Sequence, residues 1–167
     1  MSKILNDILA ANAAYASSFG AKGQLAMPPA RKFAVLTCMD ARLDPAKFLG
    51  LEPGDANVIR NAGGLVTDDA LRSLIISHWH LGTQEVVVVA HEGCGMLAFS
   101  NDDFRRTLQD QTGHDAGDID FLAFDDLEAA VQASMKRVRE CPFLPDSYGV
   151  TGFVYDVGTG AIRQVRD

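Results

Sequence analysis

The segment EVVVVAH at residues 85–91 constrains the fold of this chain more strongly than any other feature of its sequence. Four consecutive valines favour an extended strand, because β-branched side chains pack well on a pleated surface. A strand that is apolar on both faces must be covered on both sides, which is typical of the centre of a parallel sheet. The run FAVLTC at residues 33–38 has the same character. We therefore expect two buried strands of one parallel sheet.

Helix start and stop signals alternate with these apolar runs, since N-cap side chains precede several amphipathic segments and glycine or proline follows them. Six helices are predicted. The first three are residues 3–19, a short helix from Asp44-Pro45 to near Gly50, and a helix capped by Thr67 or Asp68 and closed by Gly82. The other three are a helix beginning after Cys94, one capped by Asn101–Asp103, and one from the capping-box-like residues 125–128 to Arg139. The further predicted strands are residues 57–60 and a hairpin of residues 152–157 and 161–166. This alternation predicts an α/β fold with a mainly parallel four- to five-stranded sheet flanked by helices.

The length of 167 residues indicates a single domain over residues 1–167. Its first part, residues 1–31, has a separate character. Apolar residues recur at helical spacing over residues 3–19, and residues 20–31 are rich in Gly, Ala and Pro, as expected of a linker. The sequence therefore predicts an N-terminal helix joined by this linker to the body of the domain.

Composition and charge exclude several classes of protein. A formal net charge of −7 argues against nucleic acid or an anionic membrane as the main partner. No apolar stretch approaches the roughly 20 residues that a membrane-spanning helix needs. Three widely spaced cysteines do not form the pattern of a secreted disulfide framework. Because the first segment is amphipathic and unlike a signal peptide, we expect the protein to be cytoplasmic.

Metal-binding residue types stand at the ends of the two clearest strands. Cys38 ends the first strand and is followed by Asp40 and Arg42, while His91 ends the second and is followed by Cys94. Functional sites of open α/β sheets gather at the carboxyl ends of strands, so adjacent strands would bring these side chains together. Two thiolates and an imidazole are preferred zinc ligands, and three protein ligands leave one position open for catalysis.

Other interpretations of these residues remain open at this point. A buried cysteine is usually a small apolar core residue, and a lone H-x-x-C spacing is a weak metal signal. Cys38 could instead be a nucleophile of the phosphatase kind, but the arginine needed six positions later is replaced by Asp44. Cys141 could be a fourth ligand of a purely structural zinc site, although no strand end would place it there. The residue types alone do not decide between a zinc site and an ordinary core.

Three motifs in order make the pattern recognisable. C-M-D-A-R at residues 38–42, V-I-R-N-A-G-G at 58–64 and H-E-G-C-G at 91–95 closely resemble the signatures of β-class carbonic anhydrases. The resemblance extends over roughly residues 33–157. It implies a mostly parallel sheet flanked by helices, and a homodimer or homotetramer in which an N-terminal helix, here within residues 1–31, packs on a partner.

The same resemblance implies the roles of individual residues. Cys38, His91 and Cys94 would bind one zinc ion per chain, and Asp40 and Arg42 would form the catalytic pair. Asp40 would orient the attacking water while Arg42 keeps its carboxylate ionised. In part of the family the same aspartate can instead occupy the open zinc position.

The implied reaction is reversible hydration of carbon dioxide to bicarbonate by zinc-bound hydroxide. The alternative is hydrolysis of carbonyl sulfide to hydrogen sulfide and carbon dioxide, since the chain resembles a compact branch that includes enzymes for carbonyl sulfide and carbon disulfide. Gly63 and Gly64 are expected to bring backbone close to the small substrate, with a simple tight turn as the alternative. Arg60 and Asn61 are expected to make structural hydrogen bonds.

Overall fold

The structure is a computed structural model, and it describes residues 2–166. Its centre is a single five-stranded sheet with the strand order β2-β1-β3-β4-β5. The first four strands run parallel to their neighbours, and the last is antiparallel to β4. The strands are β1 Phe33–Cys38, β2 Ala56–Asn61, β3 Glu85–His91, β4 Gly149–Tyr155 and β5 Ile162–Val165. The predicted α/β fold with a mainly parallel sheet is therefore confirmed, while the ends of the predicted domain, residues 1 and 167, lie outside the described residues.

Strands β1 and β3 are neighbours at the centre of the sheet, as their apolar sequences require. All six side chains of β1 are buried, and β3 is buried from Val88 onward. The register pairs Thr37 with Val89, and the Thr37 hydroxyl donates a buried hydrogen bond to the Val89 carbonyl over 2.9 Å. This register aligns the carboxyl ends of the two strands, so that Cys38 and His91 reach the same edge of the sheet.

The described part of the chain contains five α-helices: α1 Lys3–Ser17, α2 Pro45–Phe48, α3 Asp68–Leu81, α4 Asn101–Thr112 and α5 Leu127–Arg139. The predicted cap of α2 is confirmed, because the Asp44 carboxylate accepts a hydrogen bond from the Lys47 amide. Thr67 caps α3 in the same way, and Gly82 closes that helix with a left-handed φ of 76°. Within residues 2–166, no helix combines the length and apolarity needed to cross a membrane.

Two predicted helix starts were wrong by one residue. Ser100, and not the segment 101–103, is the N-cap of α4, since its hydroxyl accepts from the Asp103 amide. Asp126 caps α5 through the Ala129 amide, so the expected capping box over residues 125–128 does not form. Both errors arise because several cap-forming residues stand side by side, and only the backbone course decides which one is still extended.

Other predicted boundaries also needed correction. Strand β2 is longer than residues 57–60, since it pairs with β1 along all six of its residues. Strand β4 begins at Gly149 and ends before residues 156–157, which turn back toward β5. The expected helix after Cys94 is a single 3-10 turn, Gly95–Leu97. The first helix stops at Ser17, and the predicted linker contains a 3-10 helix over residues 20–24.

One face of the sheet carries the main apolar core. Helices α3 and α5 pack there, with Leu74 and Met135 buried against Val86 and Val88 of β3. Helix α5 crosses β4 at Gly152, where a Cβ atom would collide with Met135 and Val131. This close packing holds β4 beside β3. Strand β4 therefore flanks β3 at the edge of the sheet where the candidate site lies.

Candidate metal centre

Cys38, His91 and Cys94 lie together at the carboxyl ends of β1 and β3. Their ligand atoms are all within 4.8 Å of one another, and the three residues are buried. The Cys38 and Cys94 sulfur atoms are 4.0 Å apart. A tetrahedral ion with zinc–sulfur bonds of about 2.3 Å would hold two thiolates about 3.8 Å apart, so the observed spacing fits such an ion closely. The structure thus brings together the three side chains that were predicted as ligands.

The hydrogen bonding of His91 leaves one ring nitrogen available to a metal. Its Nδ1 atom lies 3.0 Å from the Glu92 carbonyl oxygen. Because a carbonyl oxygen can only accept a hydrogen bond, Nδ1 carries the proton and the tautomer is fixed. The Nε2 atom is then an acceptor; it is buried and has no hydrogen-bond partner within the described part of the chain. A buried acceptor left unsatisfied costs about 1–3 kcal/mol. A metal ion between this nitrogen and the two sulfurs would remove that penalty.

The two thiols are electrostatically suited to a divalent cation. The pKa of Cys38 is lowered, chiefly because Cys94 hydrogen-bonds to its sulfur, although burial opposes the shift. The pKa of Cys94 is raised by its bond to the Cys38 sulfur and by burial, because a second negative charge so close to the first is unfavourable. The pair therefore loses one proton readily and the second reluctantly. A bound cation would compensate both charges, as zinc thiolate sites do.

Asp40 and Arg42 form a bidentate pair beside this cluster. Arg42 donates from Nε to Asp40 Oδ1 over 2.9 Å and from a terminal nitrogen to Oδ2 over 2.7 Å. The same terminal nitrogen donates to the Gly93 carbonyl over 3.0 Å, between the two candidate ligands of the second motif. Hydrogen bonds from the Arg42 guanidinium hold the pKa of the Asp40 carboxyl well below its usual range. Asp40 Oδ2 lies 3.7 Å from His91 Nε2, so an ionised carboxylate faces the ligand group without belonging to it.

Residues at the end of β2 hold the loop that carries Asp40. Arg60 donates from Nε to the Cys38 carbonyl over 3.0 Å and from a terminal nitrogen to the Asp40 carbonyl over 2.7 Å. The Asn61 carbonyl accepts from the Met39 amide over 2.8 Å. Its side chain makes two further bonds, one to the Leu65 carbonyl and one from the Leu65 amide. The structural hydrogen bonds predicted for Arg60 and Asn61 are confirmed, but no feature of the sequence indicates that they reach the candidate site itself.

Gly63 and Gly64 form the turn between β2 and α3, with φ values of 81° and 66°. A Cβ atom on Gly64 would lie 2.8 Å from the Cys38 nitrogen and 2.9 Å from the Thr37 carbonyl carbon. On Gly63 it would meet the Phe124 ring at 3.1 Å. Gly64 therefore presses against the β1 backbone, which favours the tight-turn alternative for this residue. A substrate contact by either glycine stays a prediction.

The remaining cysteine and histidines lie apart from the cluster. Cys141 is buried in the main core. His78 has its Nδ1 atom 2.6 Å from the Thr83 carbonyl oxygen, and its ring packs against Trp79. His80 and His114 are exposed. None of these side chains belongs to the metal-ligand group found among residues 2–166.

The fold and this cluster together define a class of protein: an α/β protein with an open metal-binding group at the carboxyl edge of a parallel sheet. Comparison with known proteins agrees with that class. A family model described as carbonic anhydrase matches residues 33–114. The β-carbonic anhydrase 1 of Mycobacterium tuberculosis is 45% identical over 97% of this chain and 98% of that protein.

A solved structure and a second kind of relative are also similar. The carbonic anhydrase of Streptococcus mutans superposes with a TM-score of 0.93 and 41% identity over 99% of each chain. A carbon disulfide hydrolase of Acidianus sp. is 33% identical over 83% of this chain and 79% of that protein. The chain belongs to the β-carbonic anhydrase family. Its relatives are enzymes of two kinds, carbonic anhydrases and carbon disulfide hydrolases.

Proposed function

We propose that the chain catalyses the reversible hydration of carbon dioxide to bicarbonate and a proton, at a zinc ion held by Cys38, His91 and Cys94. The observation that carries this proposal is the geometry at the sheet edge. Three ligand atoms lie within 4.8 Å of one another, and an ionised carboxylate stands 3.7 Å from His91 Nε2. A structural zinc site does not require an ionised carboxylate beside its ligands, whereas a hydration site requires a group that orients the attacking water.

The roles of the protein residues follow from their contacts. When bound at a catalytic site, zinc lowers the pKa of a coordinated water to about 7 in favourable cases. Asp40 accepts a hydrogen bond from the attacking water and orients it toward the substrate carbon. Arg42 keeps Asp40 ionised and fixes its orientation, because both carboxylate oxygens accept bonds from the guanidinium.

The surroundings of the cluster suit a small linear gas. Cys38 and Cys94 pack in one apolar cluster with Leu43 and Met96, and the Phe124 ring lies against it. Carbon dioxide is the proposed substrate because identity to a β-carbonic anhydrase, at 45%, exceeds the 33% identity to a carbon disulfide hydrolase. The alternative is hydrolysis of carbonyl sulfide to hydrogen sulfide and carbon dioxide at the same site. The hydrolase relative and the apolar wall support this alternative, since sulfur is larger and less polar than oxygen.

The function is tested by assaying the zinc-loaded protein with carbon dioxide and with carbonyl sulfide. We expect carbon dioxide to be hydrated faster, and the Asp40→Asn variant to lose about 100-fold or more in kcat, as for loss of a positioned acid–base group. The amide keeps the shape of the carboxylate but lacks its charge. Stopped-flow measurement of proton release and detection of hydrogen sulfide would report the two reactions.

Asp110→Asn is the matched control for this experiment, because Asp110 is an exposed aspartate on α4, remote in sequence from the site. It should behave as the parent does. A parent protein that turns over neither gas would defeat the proposed function. Faster turnover of carbonyl sulfide would replace the substrate with the alternative.

The N-terminal helix supports a proposal about assembly. None of the α1 residues is buried on its own chain, and Ile4 and Ile8 are 70% and 58% exposed. Further exposed apolar side chains follow in the same helix and in the linker: Leu5, Leu9, Tyr15, Phe19, Leu25 and Met27. So many exposed apolar side chains within one segment are unfavourable in water and indicate an interaction site. We infer that a second copy of the chain covers this helix and linker, within residues 2–31, giving a homodimer or a homotetramer.

Charged substitutions on this helix test the assembly. The double variant Ile4→Glu/Ile8→Glu should sediment as a monomer, whereas the parent should have at least twice the chain mass. Ile119→Glu is the control, because Ile119 is 56% exposed on a loop far from the helix in sequence. It should leave the mass unchanged. A parent that sediments as a monomer at micromolar concentration contradicts the inference.

We also propose a cytoplasmic location. Cys38, Cys94 and Cys141 are all free thiols, and two of them would serve as metal ligands. A reducing compartment keeps such thiols available. The net charge of −7 supports the further expectation that neither nucleic acid nor a membrane surface is a partner.

A further inference from the structure

Arg60 connects the edge strand β2 to the backbone on either side of Met39. Its Nε atom donates to the carbonyl of Cys38 over 3.0 Å, and a terminal nitrogen donates to the carbonyl of Asp40 over 2.7 Å. One guanidinium therefore binds both the candidate ligand residue and the residue that faces the ligand group. Hydrogen bonds from a charged donor are about twice as strong as neutral ones, so this clamp is a substantial restraint on the loop.

The restraint matters because the Asp40 carboxylate is close enough to compete for the metal. Its Oδ2 atom is 3.7 Å from His91 Nε2, and carboxylate oxygen is itself a good zinc ligand. Two sets of bonds hold it in the observed place. Arg42 binds its side chain, while Arg60 and the Leu43 amide bind its backbone carbonyl. If the carbonyl were released, the loop could rotate and bring the carboxylate into the fourth ligand position.

We propose that Arg60 is a positioning residue that keeps the Asp40 carboxylate beside the fourth metal-ligand position and out of it. This inference rests on the proposed function, because it assumes the metal site described above. Arg60 acts through Asp40 and does not touch the reacting atoms. A lysine at this position would keep the charge, but its single nitrogen cannot reproduce the fork that spans two carbonyls.

Binding of azide to the cobalt-substituted protein tests the inference without relying on turnover. Cobalt held by thiolates absorbs visible light, and azide bound at the open position changes that absorption. We expect Arg60→Met to weaken azide binding about 10-fold, which corresponds to Asp40 occupying the position in about nine of ten molecules. Arg60→Lys should recover part of this loss.

Arg105→Met is the matched control. Arg105 also donates two bonds to a backbone carbonyl, that of Ile119, over 3.0 and 2.7 Å, but this carbonyl lies in another part of the chain. The control should bind azide as the parent does. Unchanged azide affinity in the folded Arg60→Met protein would overturn the inference; if that variant does not fold, unchanged affinity in Arg60→Lys would overturn it.

A double-mutant cycle separates positioning from a merely structural effect. An amide is a poor metal ligand, so in an Asp40→Asn background the change Arg60→Met should alter azide affinity less than about 2-fold. A loss of the same size in both backgrounds would overturn the inference, since Arg60 would then act on the site without Asp40. A parent that shows no cobalt–thiolate absorption overturns the proposed metal site as well, and so is distinguished from failure of the positioning role alone.

Discussion

Replacing Gly64 with alanine should lower the free energy of unfolding by about 4 kcal/mol. A left-handed φ, here 66°, costs roughly 1–2 kcal/mol for a residue with a Cβ atom. The added atom would also lie 2.8 Å from the Cys38 nitrogen and 2.9 Å from the Thr37 carbonyl carbon. These are backbone atoms of a fully buried central strand and cannot move aside, so overpacking adds roughly 1–3 kcal/mol. Denaturant unfolding at fixed protein concentration measures the loss.

Gly113→Ala separates the two contributions. Gly113 closes α4 with a φ of 72°, and a Cβ atom there would have no heavy atom within 4 Å. It should therefore cost only the conformational strain, about 1 kcal/mol. Equal losses of stability in the two variants would show that the approach of Gly64 to β1 is not a tight contact. A larger loss at Gly64 would make this glycine a determinant of how the 62–64 turn sits on the strand that ends in Cys38.

The centre of the fold could be predicted because the residues that determine it are consecutive in the sequence. A run of valines that is apolar on both faces has few stable environments other than the middle of a parallel sheet, and β3 lies there between β1 and β4. The candidate ligands could be predicted for a related reason. Cys38 and His91 are the last residues of adjacent parallel strands, so their proximity follows once the strands are neighbours.

What could not be predicted depends on how separate segments pack. Nothing in the motif at residues 58–64 indicates that Arg60 binds the carbonyls of Cys38 and Asp40, because those contacts exist only when β2 pairs with β1 in the observed register. A glycine pair signals unusual backbone, but the sequence does not say which atoms it approaches. Here Gly64 approaches protein backbone and not open space. The helix cap at Ser100 was missed because four adjacent residues, 100–103, can all cap a helix.

Replacing His91 with alanine should remove both the proposed metal and the proposed activity. The change takes away one of the three candidate ligands and leaves a pair of thiols with only solvent to complete a site. We expect zinc content below about a tenth of an ion per chain. We also expect at least about a 1,000-fold loss of carbon dioxide hydration, because the pKa of water without a metal is too high to supply hydroxide near neutral pH. Metal analysis by mass spectrometry and the stopped-flow assay measure these two effects.

The interpretation of that result depends on the fold being retained. His91 is fully buried, so alanine leaves a cavity that costs several kcal/mol by analogy with large-to-small core substitutions. Cys94→Ser, which removes a candidate ligand with little change in volume, should lose zinc to a similar extent while retaining more stability. His80→Ala, at an exposed position on α3, should keep both zinc and activity. Zinc near one ion per chain in the folded His91→Ala variant would mean that His91 does not bind the ion. The buried Nε2 atom of His91 in the parent protein would then need a different partner.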